Sequence, residues 1–118
     1  MKLKECYSKM NGDYEDVMSR LPREKSVIKF LRRFAENTEF SELLEEADKK
    51  NYQRVFELSH DLKGMAANLG IKGFAGLVSQ VCEETRNKEP GEGFAELLDK
   101  TDREYRLVIE TISVLEDE

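Results

Sequence analysis

Residues 59 to 64 read Ser-His-Asp-Leu-Lys-Gly, and three of them are suited to moving a phosphoryl group. His60, the one histidine in 118 residues, supplies an imidazole. A free imidazole titrates near about 6.5, so at cellular pH most of it is neutral, with a ring lone pair able to attack phosphorus without a separate base. Successive helical residues turn by about 100°, which gathers Val55, Leu58, Leu62, Met65, Ala66 and Leu69 into one apolar stripe and points His60 roughly 170° from its centre. His60 therefore faces water. Lys63 lies about 60° to one side by the same step, which brings an ammonium within reach of an anion on the imidazole. Gly64 is the i+4 neighbour of His60 on the same face. It costs a helix interior roughly 1 kcal/mol relative to Ala, and the gap it leaves is room for an incoming group.

Other chemistries fail on the same residues. Ser59 and Asp61 each diverge from His60 by about 100° on a helix, so the three adjacent letters are not a Ser/His/Asp triad, which also needs an oxyanion donor. A di-metal bundle requires several inward His and Glu at paired spacings; one outward histidine does not provide them, and no metal site is expected. There is no glycine-rich phosphate loop followed by Lys and Ser or Thr, and Gly91 and Gly93 read as parts of a turn, so no ATP-dependent kinase activity is expected.

The site must sit on a helix, and the surrounding periodicity supplies one. Asn51 is a reasonable N-cap for a segment that runs to Leu69 and stops at Gly70 in the C′ position. A second amphipathic helix, about 72–87, carries Phe74, Leu77, Val78, Val81 and Cys82, and the Glu89-Pro90-Gly91-Glu92-Gly93 stretch ends it. The last helix places Phe94, Leu97, Thr101, Tyr105, Val108, Ile112 and Leu115 at spacings close to a heptad. Upstream, Leu3, Cys6, Tyr7 and Met10 make a short helical piece stopped by Asn11-Gly12, and Asp13 caps another that carries Tyr14, Val17, Met18 and Leu21. Pro22 suits a first helical position, before Val27, Ile28, Leu31, Phe34 and Ala35. A stripe at Phe40, Leu43, Leu44 and Ala47 is out of register with that one, so Asn37-Thr38 predicts a break between two helices, or a kink within one. No alternating apolar and polar run predicts a strand. The expected fold is all-α, an antiparallel four-helix bundle over about 22–116 with short N-terminal helices over about 3–21, in one domain spanning 1–118.

Composition narrows the partners. Acidic residues exceed basic ones to give a net charge of −6, which argues against a duplex-binding surface with clustered Lys and Arg; Arg32, Arg33 and Arg54 read as solvated helix faces. Charged residues make up 37% and hydrophobic ones 39%, a balance that fits amphipathic helices rather than disorder. Cys6 and Cys82 stand far apart without metal-ligand spacing and read as free thiols in a reducing compartment, Cys82 in the core. No apolar stretch has signal-peptide length and no run of 18 apolar residues appears. The expected location is the cytoplasm, with no membrane partner, and the expected state is a monomer.

The run His60-Asp61-Leu62-Lys63-Gly64, with Gly70 six residues beyond Gly64, resembles the histidine-phosphotransfer (HPt) family, whose pattern is His-x-Leu-Lys-Gly followed after five residues by Gly. Phe56, the Ala66-Ala67-Asn68-Leu69-Gly70 run and the segment from Asn11-Gly12-Asp13-Tyr14 to Arg20-Leu21-Pro22 are similar to members of that family. The resemblance implies a four-helix bundle that reversibly accepts a phosphoryl group on His60 from a receiver-domain aspartate and passes it on. It implies that Lys63 offsets phosphate charge and that Gly64 gives steric clearance. Phe56, Ala67, Asn68, Ser79 and Gln80 are candidate docking residues; Ser79 and Gln80 on the next helix are equally readable as hydrogen-bond partners of the imidazole or its phosphate, or as ordinary solvent-facing residues. The implied partners are a response-regulator receiver domain and a hybrid sensor histidine kinase, with no cofactor bound by this chain and Mg2+ held in the receiver. The alternative is a helical adaptor that binds a receiver or another signalling domain without carrying phosphate. Asp61 departs from the small hydroxyl residue common at its position, and it diverges from His60 by about 100°.

Overall fold

The computed structural model describes residues 1–116, which form seven α-helices: α1 (Leu3–Lys9), α2 (Tyr14–Arg20), α3 (Glu24–Glu36), α4 (Glu39–Asp48), α5 (Tyr52–Asn68), α6 (Lys72–Glu84) and α7 (Phe94–Ser113). No strand occurs among the described residues. The last two positions of the expected 1–118 unit lie outside them.

The apolar stripe of α5 is the centre of the core. Val55, Leu58, Leu62, Ala66 and Leu69 are buried, Met65 is half-buried, and Ser59 joins the buried face with its hydroxyl donating to the Phe56 carbonyl at 3.0 Å. Against this stripe pack Phe74, Val78, Val81 and Cys82 of α6. α5 and α6 form the most extensive helix pair, α4 lies along α5 and α7 along α6. The fourth side of the bundle is shared, because α3 rests on α7 while α4 rests on α5. The break that divides α3 from α4 falls at Asn37-Thr38, where Asn37 Oδ1 accepts from the Glu39 N–H at 2.7 Å and recaps the chain. Phe34, Phe40, Phe74 and Tyr105 gather around this break, with ring centroids 4.5 Å (Phe40–Tyr105) to 6.3 Å (Phe34–Tyr105) apart, so α3, α4, α6 and α7 meet in one aromatic cluster.

The two short N-terminal helices clasp the α5–α6 turn. Asp13 caps α2 through its side chain, as expected. Tyr7 donates its hydroxyl to the Leu69 carbonyl at 2.6 Å, the Asp13 N–H donates to the Gly70 carbonyl at 2.8 Å, and the Arg20 guanidinium donates to the Ala67 and Asn68 carbonyls at 3.0 and 2.9 Å. Helix ends leave such carbonyls without intrahelical partners, and here a distant segment supplies them. The turn itself is a Schellman motif: Ile71 N–H bonds to Ala66 O at 2.9 Å and Gly70 N–H to Ala67 O at 3.1 Å, with Gly70 at φ +71.

Several local expectations need correction. Pro22 does not begin a helix; Leu21 before it has left the helical region (φ −124, ψ 86), which a residue before proline disfavours, and Arg23 is extended as the N-cap of α3. Asn51 occupies the N-cap of α5 but its side chain turns back to Glu46 at 2.8 Å, so it caps nothing. α6 stops at Glu84 rather than 87, where Thr85 bonds its hydroxyl to the Val81 carbonyl and Asn87 takes a positive φ. Arg32 is half-buried and donates to the Leu115 carbonyl at 3.2 Å, which ties α3 to the end of α7.

Candidate functional site

His60 sits in the third turn of α5 with its side chain exposed, opposite the buried stripe. Among the described residues it makes no hydrogen bond, and its one ring neighbour is Phe56, whose centroid is 6.0 Å away at the i−4 position. One turn C-terminal lies Gly64. A Cβ built there would meet nothing within 4 Å, so the surface beside the imidazole is open. Lys63 is half-buried, and among the described residues its ammonium forms no ion pair. The structure thus brings together His60, Lys63 and Gly64 on one face, with an ammonium beside an imidazole that has no hydrogen bond among the described residues. Asp61 is exposed on a neighbouring face.

The docking candidates divide into groups. Phe56 flanks His60 directly, while Ala67 and Asn68 are exposed one turn beyond Gly64, with their backbone carbonyls held by Arg20. Ser79 and Gln80 belong to α6. Neither bonds to His60; both line a groove of about 580 Å³ between α6 and the start of α7, together with Leu77, Phe94 and Leu97. Their reading as partners of the unmodified imidazole finds no hydrogen bond in its favour.

The family comparison bears on this face. A family model described as Hpt domain matches residues 29–114. The chain belongs to the Hpt domain family. Membership implies a histidine-phosphotransfer role in phosphorelays, and Hpt domains interact there with receiver domains and kinases. No curated protein and no solved structure matches the chain. The match leaves out the first 28 residues, so the Tyr7, Asp13 and Arg20 clasp on the α5–α6 turn lies outside the matched part of this Hpt domain. No helix among the described residues is long and apolar enough to cross a membrane. None of their His, Cys, Asp and Glu side chains gather in a group of three that would hold a metal ion.

Three features of this Hpt domain escaped the sequence reading. Gly76 is a second exposed glycine in a helix interior with nothing within 4 Å of a built Cβ. It lies on α6, and its helix-breaking cost was the available signal. Arg86, just past α6, stacks over the Phe56 ring at 4.9 Å and pairs with Glu83 at 3.1 Å. The Arg86 hydrogen bond and charge hold the Glu83 carboxyl below its usual range, with Lys63 and Lys88 adding to the effect. An i, i+3 charge pair was legible, but its place against Phe56 was not. The clasp from α1 and α2 had no signal, because a carbonyl carries no side-chain signature.

Proposed function

We propose that this Hpt domain is a phosphocarrier whose phosphoryl-accepting group is His60. The observation that supports the reading most is the exposed imidazole without a hydrogen-bond partner, set between the open surface over Gly64 and the unpaired Lys63 ammonium. In the forward step the ring lone pair attacks the phosphorus of a receiver's aspartyl phosphate in line. The N–P bond forms as the P–O bond to the aspartyl carboxyl breaks, and the electron pair leaves with the aspartate as carboxylate. The other ring nitrogen keeps its proton, and the same path run backwards returns the group to an aspartate. Lys63 offsets the negative charge on the phosphoryl oxygens, and Gly64 admits the partner to van der Waals distance.

Phosphoryl transfer depends on in-line positioning and charge neutralisation. This chain brings the nucleophile and one cation; the acidic pocket and its Mg2+ belong to the receiver, which supplies most of the catalysis. Phe56, Ala67 and Asn68 form the nearest docking contacts on α5, with Ser79 and Gln80 on α6 at its edge. The hybrid sensor kinase is the upstream source of the phosphoryl group, and the cytoplasm is where such a relay operates.

The test uses a receiver domain charged with labelled aspartyl phosphate. On mixing, label is expected to move to the chain in an acid-labile, base-stable form, and to move back when uncharged receiver is added in excess. A chain that binds the receiver while label stays wholly on the receiver acts as an adaptor, and the carrier reading is then wrong.

A further inference from the structure

We propose that Glu83 and Arg86 form an exchangeable ion pair beside His60: Glu83 holds the Arg86 guanidinium in the unphosphorylated protein, and the guanidinium passes to the phosphoryl group when His60 carries one. The proposal rests on the phosphocarrier reading of His60. Three contacts place the pair. Arg86 Nη2 lies 3.1 Å from Glu83 Oε1, the guanidinium lies 4.9 Å from the centre of the Phe56 ring, and that ring lies 6.0 Å from the imidazole. Phe56 is thus a ring that both groups neighbour, with Arg86 over its face and the imidazole tilted at 44° to it.

Helix direction brings the remaining charges to the same spot. Side chains lean toward the N-terminus of their own helix, and α5 and α6 run antiparallel about the Gly70 turn. Lys63 therefore leans back toward His60, while Glu83 leans toward the level of Gln80 on its own helix. The two charges feel each other: Lys63 contributes to the field that keeps Glu83 ionised. Glu83 acts as an internal anion between the cations that a phosphoryl group needs.

The exchange asks for little movement. Arg86 follows the C-cap Thr85, and both members of the pair are exposed, at 45% for Arg86 and 61% for Glu83, so water weakens the bond between them. A phosphoryl group with nearly two negative charges and three acceptor oxygens is a better partner for a guanidinium than one carboxylate. Once it is in place, Glu83 faces a like charge. Arg86 then favours the phosphorylated state and Glu83 opposes it, and their balance sets how the phosphoryl group divides between His60 and the receiver's aspartate.

Two measurements on the full chain test this. First, His60 is phosphorylated with phosphoramidate, whose P–N bond breaks as the bond to the imidazole nitrogen forms and ammonia leaves, while the Arg86 side-chain N–H signal is followed by NMR. The signal is expected to move with phosphorylation in the parent and to stay fixed in His60→Gln; a parent signal that does not move overturns the exchange. Second, label is allowed to equilibrate with a charged receiver. Arg86→Gln is expected to shift the division toward the receiver by about three- to tenfold, Glu83→Gln to shift it toward His60 by a similar factor, and Arg86→Lys to fall between Arg86→Gln and the parent. Shifts in the same direction, or none, overturn the proposal. If the Arg86 signal moves but no receiver gives up label, the exchange stands and the carrier reading fails.

Discussion

At the scale of single residues, the proposed site depends on what is missing around the imidazole. Among the described residues His60 has no hydrogen bond to give up and Gly64 presents no side chain, so the proposed partner would displace no contact in approaching. This separates the role of Gly64 from fold stability. Because a Cβ at Gly64 meets open space, Gly64→Ala should raise stability by about 0.5–1 kcal/mol through the helix preference of alanine, measured as a higher midpoint of denaturation. Gly64→Gln should keep the helical circular dichroism signal and block transfer from a charged receiver. A Gly64→Gln chain that lost helicity would place Gly64 in the core and refute the open-face geometry. The hexapeptide at 59–64 made this much legible, since His60, Lys63 and Gly64 are neighbours on one helix and helical geometry alone sets their directions.

At the scale of elements, α5 carries the site and its C-terminal end is held by residues far away in sequence. Gly70 is needed twice, for its φ of +71 and for the approach of Asp13, whose carbonyl would lie 2.9 Å from an added Cβ. Gly70→Ala should therefore destabilise the protein by about 1–2 kcal/mol or more, the reverse of Gly64→Ala, and equal denaturation midpoints for the two variants would contradict the assignment. The family pattern contains both glycines, yet only the structure separates a glycine beside open space from one that the turn requires. Helix existence was legible throughout because each apolar stripe repeats at helical spacing, and the α3–α4 break followed from the change of register at Asn37-Thr38. Ends were less legible. The Pro22 start, the Asn51 cap and the end of α6 are decided by tertiary contacts and competing bonds, such as Asn51 with Glu46, that periodicity does not encode.

At the scale of the whole molecule, buried groups set the pH range of the fold. Burial pushes the Tyr7 phenol well above its usual range, and its hydroxyl is committed to Leu69. A group whose folded pKa is raised contributes stability that is complete below its unfolded pKa, about 10 for tyrosine, and that is lost as pH rises beyond it. Stability should therefore fall above about pH 10, and Tyr7→Phe, less stable near neutrality by about 1–2 kcal/mol for the lost hydrogen bond, should show a shallower fall. A parallel fall in the two proteins would remove Tyr7 from the cause. Cys6 and Cys82 are both fully buried, so a thiol reagent should react slowly with the native protein and rapidly once it is denatured. The central claim concerns His60, and the most direct measurement is the time course of label transfer from a charged receiver to the parent chain and to His60→Gln. The parent should become labelled and His60→Gln should remain unlabelled while keeping the parent's helical signal; label on His60→Gln at the parent's level would contradict the account.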